Sequence, residues 1–227
     1  MGDCGDPRQA GFPNAWDCDL SDGVVDFFAD VFFATNGEVY APVLITRYVA
    51  NAPLPNTEWV QLRNVAPVGL SLYRFKVSDE EQPDVSMIET MAIFEPCAPG
   101  LAPGQTLVVA KEASVYLTRY GTDASCEFAS TSPEVQDMSR FVLWGSGPPG
   151  SFALNNLGDQ ILLLDRSNTI LDVVNYGTGA FVGVTPAPAP AADQVFGRMP
   201  VARDTDDNSA DFRVVAEDLL FADGFED

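Results

Sequence analysis

The side chains most able to do chemistry sit near the end of this chain. Asp204, Asp206 and Asn208 place oxygen ligands at i, i+2 and i+4, with Asp207 and Asp211 close by. That spacing is the first half of a calcium-binding loop. The sixth position is Ser209 instead of Gly and the twelfth is Val215 instead of Glu, so the segment is no EF-hand. Two readings stay open: a weak surface calcium site on Asp204, Asp206, Asn208 and Asp211, or an Asp-rich turn that bonds its own backbone. The four cysteines fall in two local pairs, Cys4 with Cys18 and Cys97 with Cys126. Neither has the tight C-x-x-C of structural zinc, which leaves loop-closing disulfides or buried free thiols, and the disulfide reading is taken forward. Cys126 is followed by Glu127 and has no cation beside it, the wrong setting for a reactive thiolate. Gly145-Ser146-Gly147-Pro148-Pro149-Gly150 spells G-x-G-x-x-G, but its two prolines remove N–H donors that a phosphate site needs, so it reads as a loop. Histidine is absent, which removes every Ser-His-Asp and Cys-His arrangement and every imidazole metal site.

Twelve Lys plus Arg against thirty-three Asp plus Glu leave a formal charge of −21 over 227 residues. Such a field repels phosphate, so nucleic acid or an anionic bilayer would need a basic patch against the mean. Only two lysines, Lys76 and Lys111, and ten scattered arginines are present. A hydrophobic fraction of 46% is enough for a packed core. No apolar window is long enough to span a membrane. The first residues lack the basic and apolar regions of a signal peptide. With two disulfides expected, the location implied is secreted or cell envelope, the signal peptide being absent from this sequence.

The elements that must position these groups read as strands. Short apolar stretches at 43–49, 59–64, 70–77, 87–94, 106–110, 141–144, 160–164, 170–175 and 194–198 are separated by turn residues, which argues for an all-β antiparallel sandwich or barrel. Pro103-Gly104 fits the centre of a type II turn feeding the strand at 106–110. Val24, Val25, Phe28, Val31 and Phe32 fit either a short helix or a strand. Asp79-Glu80-Glu81 reads as a solvated loop. Thr185 to Pro190 alternates proline and should hold a stiff polyproline II spacer. Residues 204–227 carry nine acids and one base, Arg213, and form an acidic tail.

Four segments together resemble the lamin tail domain, an immunoglobulin-like β-sandwich of nuclear lamins and of bacterial surface and secreted proteins. They are Val43-Leu44-Ile45-Thr46; Asn56 to Asn64, with Glu58-Trp59-Val60-Gln61-Leu62-Arg63-Asn64 as the strand motif; Leu101-Ala102-Pro103-Gly104-Gln105-Thr106-Leu107-Val108-Val109-Ala110; and Leu154 to Asp165, continuing to Val173-Val174-Asn175-Tyr176-Gly177. The departures are Arg47 where members usually carry an acid, Gln61-Leu62-Arg63-Asn64 in place of E-L-Y-N, and Gly69 to Tyr73 in place of D-L-S-G-W. The resemblance implies an immunoglobulin-like antiparallel β-sandwich with long loops over 41–213, its core at 42–178 and its closing segment at 194–213. An N-terminal extension, 1–40, precedes it and an acidic tail, 214–227, follows. It also implies a non-catalytic extracellular or envelope binding or structural module, with an unknown protein or envelope ligand as partner. Two other classes are carried: a metal-dependent hydrolase built on carboxylates alone, and a nucleic-acid-binding module, which the charge of −21 opposes.

Overall fold

The computed structural model describes residues 42–52, 55–80, 90–93, 97, 100–140, 152–165, 170–181 and 183–216. Cys4, Cys18, the extension at 1–40, the apolar run at 141–144, the glycines at 145–150 and the residues after 216 lie outside them. The elements are β1 (Val43–Val49), β2 (Trp59–Asn64), β3 (Leu70–Ser71), β4 (Lys76–Glu80), β5 (Thr90–Ile93), β6 (Gly100–Leu101), β7 (Thr106–Ala110), α1 (Ala113–Tyr120), β8 (Cys126–Glu127), β9 (Gln136–Asp137), β10 (Ser139–Arg140), β11 (Gly158–Leu164), β12 (Ile170–Gly177), β13 (Val195–Arg198), α2 (Asn208–Asp211) and β14 (Phe212–Val215). One sheet has the order β14-β13-β1-β2-β7-β8-β9, a second β10-β5-β4-β11-β12, and β3 pairs with β6 alone.

The two larger sheets share one core. Alternate residues of β1, β2 and β7 (Val43, Ile45, Val60, Leu62, Leu107, Val109) meet Val77 of β4, Ile161 and Leu163 of β11, and Val174 and Tyr176 of β12 in a single buried cluster. The period of two that puts them on one face is the ordinary consequence of strand geometry. β1 departs from it once. Its register on β2 slips between Ile45 and Arg47, a bulge at Thr46 that turns Tyr48 rather than Arg47 into the core.

The fold is all-β, as the sequence pattern implies, but not wholly antiparallel. β7, β8 and β9 are parallel neighbours. Parallel neighbours need a crossover, and between β7 and β8 it contains α1. Ala113, Tyr116 and Tyr120 recur at helical spacing and pack with Trp59 on the far side of the seven-stranded sheet. Trp59 Nε1 donates to Tyr120 Oη at 2.9 Å, and Gly121 closes the helix in the left-handed conformation, φ 71°.

The run expected as one strand at 70–77 is two. Arg74 takes φ 63° and Phe75 N donates to Leu72 O at 2.9 Å, so the chain turns from the β3–β6 pair into the five-stranded sheet. Asp79, expected in a solvated loop, is buried on β4 and its Oδ2 accepts from Ala153 N at 2.9 Å. Gly104 has the positive φ that the Pro-Gly turn demands, 75°, and Gln105 N closes that turn on Ala102 O at 3.0 Å. β14 closes the seven-stranded sheet and runs to Val215.

The proline-alternating segment is not a free spacer. Ala187 N donates to Asn175 O and Gly177 N donates to Ala187 O, both at 2.8 Å, which covers the open edge of β12. Thr185 bonds the other way, its N–H to Asp206 O at 3.0 Å and its carbonyl accepting from Asn208 N at 2.9 Å. One segment thus serves two partners, Thr185 the Asp206–Asn208 stretch and Ala187 the edge of β12. Among the described residues no helix is long and apolar enough to cross a membrane.

Candidate functional site

The greatest concentration of charge chemistry is a buried cluster around Arg198, the last residue of β13. Its neighbour in the sheet is β1, whose bulge at Thr46 leaves the Ile45 backbone unpaired on that side. Two side chains complete it: Asp172 Oδ2 of β12 accepts from Ile45 N at 2.7 Å, and Arg198 Nε donates to Ile45 O at 3.1 Å. Arg198 Nη2 then donates to both Asp172 oxygens, at 2.8 and 2.9 Å. Nη1 faces Asp204 Oδ1 at 2.9 Å, Arg203 O at 3.1 Å and Asp211 Oδ2 at 3.3 Å. Every N–H of the guanidinium is therefore committed, and its plane lies over the Phe212 ring, 4.7 Å from the centroid.

Three carboxylates share one cation, and the electrostatics follow. Burial pushes Asp172 up, to about 7; Arg198 and the Ile45 N–H pull against this while Asp204 adds to it. Burial works against the charge of Arg198, but Asp172, Asp204 and Asp211 outweigh it and hold the guanidinium above its ordinary value. Asp206 is also raised, by burial first and then by Asp204 and Asp211.

The four residues expected as calcium ligands lie in this region, and Asp204, Asn208 and Asp211 each accept a hydrogen bond from within the protein. Asp204 and Asp211 turn onto Arg198. Asp211 also accepts from Thr205, its Oδ2 from the backbone N–H at 2.9 Å and its Oδ1 from Oγ1 at 2.8 Å. Asn208 Oδ1 accepts from Asn175 N at 2.5 Å. The Asp206 N–H donates to Asp204 Oδ1 at 3.3 Å. Asp207 caps the short α2, its carboxylate accepting from Ser209 N and Ala210 N. Among the described residues no three His, Cys, Asp or Glu side chains are gathered as for a metal ion.

A second buried carboxylate, Glu127 on β8, had no role in the sequence reading beyond its place beside Cys126. Its Oε2 accepts from Ala113 N at 2.9 Å, the first turn of α1, and from Thr131 Oγ1 at 2.5 Å. Its Oε1 accepts from Thr131 N at 3.0 Å and Ser132 N at 2.9 Å. A carboxylate at a helix N-terminus is favourably placed. Glu112, at the cap position itself, makes no side-chain cap and instead accepts from Asn56 Nδ2 at 2.7 Å. The helical spacing of Ala113, Tyr116 and Tyr120, followed by Gly121, is the signal that could have revealed α1. Next to Glu127, Cys126 is joined to Cys97, both in the main core with Cα atoms 6.1 Å apart.

Fold and cluster together define a β-rich protein of two principal sheets, tied to each other by an interior ion pair. It is similar to the crystal structure of a DUF4876 family protein from Bacteroides thetaiotaomicron VPI-5482, with a TM-score of 0.61 and 13% sequence identity over 82% of this chain and 74% of that one. At that identity the likeness concerns the fold alone. No family model and no curated protein matches the sequence.

Proposed function

We propose that this protein is a non-catalytic extracellular or cell-envelope binding and structural module of lamin-tail type, its two sheets arranged as an immunoglobulin-like sandwich. The observation that carries this reading is the use made of the interior charges. Asp172, Arg198, Asp211 and Glu127 are buried and bonded to one another or to backbone N–H and C=O groups, which holds sheets and loops in place. The four segments that resemble the lamin tail domain support it as well. They fall on β1, on β2, on the turn and strand of β7, and on the β11–β12 hairpin. The Cys97–Cys126 bridge supports an oxidising compartment.

The test is fractionation of source cells after trapping thiols with an alkylating reagent before lysis. The expected result is protein in the envelope or medium with Cys97 and Cys126 inaccessible to the reagent. Cytosolic protein with both cysteines alkylated would overturn the location. Chelator-sensitive turnover in a panel of phosphoester, glycoside and peptide substrates would overturn the non-catalytic reading and favour a carboxylate-based hydrolase.

A further inference from the structure

Charge is unevenly distributed on this molecule. Residues 59–78 and 97–111 contain no Asp or Glu although the chain has thirty-three, and they contain Arg63, Arg74, Lys76 and Lys111. The fold brings parts of the two stretches, 63–74 and 100–105, to one corner, while Lys111 lies at the other end of the β2–β7 pair. β3 and β6 pair Leu70 with Leu101 and Ser71 with Gly100. The Asn64 amide donates to Val68 O at 2.7 Å and to Leu101 O at 3.0 Å. Gly104 N donates to Asn64 O at 2.9 Å, and the Arg63 guanidinium lies beside Gly104.

Two of the four cations are occupied or enclosed. Lys111 pairs with Glu58 at 3.1 Å, and Lys76 is buried with its Nζ on Asp165 O at 2.8 Å. Arg63 and Arg74 are different. Among the described residues no carboxylate pairs with either. Each acts on another cation instead: after burial, Arg63 helps to lower Arg47, and Arg74 opposes the charge of Lys76. On Lys76 the nearby Asp165 acts more strongly than Arg74 and in the opposite sense, so the cationic character of this corner rests on Arg63 and Arg74 themselves. The same corner exposes apolar surface, with Val68 40% and Tyr73 52% accessible, and Pro67 and Pro103 exposed beside them.

Fields from exposed charges fade over about 8 Å at physiological salt, so contact at this corner is governed by its own cations more than by the distant acids. A basic partner could settle almost anywhere on a surface of net −21. An acidic partner is repelled where carboxylates predominate, and among the described residues this corner, whose two arginines have no carboxylate partner, is a place it can approach. We infer that the β3–β6 corner docks an acidic peptide segment bearing aromatic side chains, its carboxylates meeting Arg63 and Arg74 and its rings covering Tyr73, Val68 and Pro103. This deepens the binding-module reading by naming the partner's chemistry.

The test is calorimetric titration of the full chain with a synthetic peptide alternating Glu and Tyr, beside the same peptide with Gln for Glu. Saturable binding of the Glu peptide is expected. Removing either side's charge, by the Gln peptide or by Arg63→Gln with Arg74→Gln, should weaken it about tenfold or more. Tyr73→Ser should weaken it by a smaller factor, all variants keeping the wild-type thermal midpoint. Absence of saturation, equal binding of the Gln peptide, or binding indifferent to the Arg63→Gln and Arg74→Gln changes would overturn the inference. So would arginine-dependent binding of heparin or single-stranded DNA in place of the peptide. Failure here leaves the compartment result standing, and a cytosolic location leaves this titration unaffected.

Discussion

Asp172 and Arg198 lie on different sheets and close on each other through two hydrogen bonds of 2.8 and 2.9 Å, with neither side chain exposed. The pair spans the interior at the point where the β1 bulge frees the Ile45 backbone. Removing the cation alone should therefore be severe. Arg198→Met leaves Asp172 and Asp211 buried without their counter-charge, a change expected to cost about 3–5 kcal/mol. Urea denaturation would show this as a lowered midpoint. A midpoint unchanged from wild type would mean that the guanidinium does not tie the sheets.

Asp172 sets the sign of a pH effect. Its folded value, about 7, lies above the unfolded carboxylate value of about 3.9. Between the two the folded state holds a proton that the unfolded state has lost, so this group's contribution is complete below the lower value and disappears as pH rises through the upper one. Thermal midpoints should fall between about pH 4 and pH 7 more steeply for wild type than for Asp172→Asn. Parallel slopes for the two proteins would refute the assignment.

Tyr48 carries a cost that its ring conceals. The ring packs 5.3 Å from Tyr176 and 5.6 Å from both Phe196 and Phe212, while its buried hydroxyl has no hydrogen-bond partner among the described residues. Burial alone pushes the phenol far above its ordinary range. Tyr48→Phe removes the unsatisfied group and keeps the packing, so stability should rise by about 1 kcal/mol. A loss on the same denaturation curve would mean that the hydroxyl is bonded in solution.

Much of the sheet framework was legible because strands announce themselves locally. Trp59 to Asn64 and Val43 to Val49 alternate or run apolar between turn residues, and their bounds in the fold match the pattern. What was not legible depends on partners far apart in sequence. Nothing near Arg198 shows that it will be enclosed by Asp172, 26 positions earlier, as well as by Asp204 and Asp211 just after it. Nothing in the Asp-rich segment read alone shows that two of its carboxylates, Asp204 and Asp211, meet Arg198. Glu127 is the same case: its partners, Ala113 and Thr131, become visible only once the crossover containing α1 is formed. The split of 70–77 at Arg74 left no glycine or proline as a marker, since a non-glycine residue takes the positive φ.

The Cys97–Cys126 bridge closes a sequence separation of 29 residues. Loop-closure entropy of that size corresponds to about 3–4 kcal/mol. Both cysteines lie in the main core, so Cys97→Ala with Cys126→Ala loses this and a little packing besides. Guanidinium denaturation of the double variant against the oxidised wild type should show the deficit, and wild type unfolded in the presence of a reductant should approach the variant. Coincident curves for all three would mean that the bridge does not constrain the unfolded chain.

Calcium tests the arrangement of the acidic segment most directly. A divalent cation at Asp204, Asp206, Asn208 and Asp211 would compete with Arg198 for Asp204 and Asp211, and with the Asn175 N–H for Asn208 Oδ1. To the extent that the ion won, Arg198 would be buried with fewer partners, a penalty of about a few kcal/mol that a weak, partly exposed site does not repay. Thermal midpoints in millimolar calcium and in EDTA should therefore coincide, because a ligand raises stability only by binding the folded state. A midpoint raised by calcium in wild type and not in Asp206→Asn would show that the segment rearranges around the ion, and that Arg198 is its occupant only while calcium is absent.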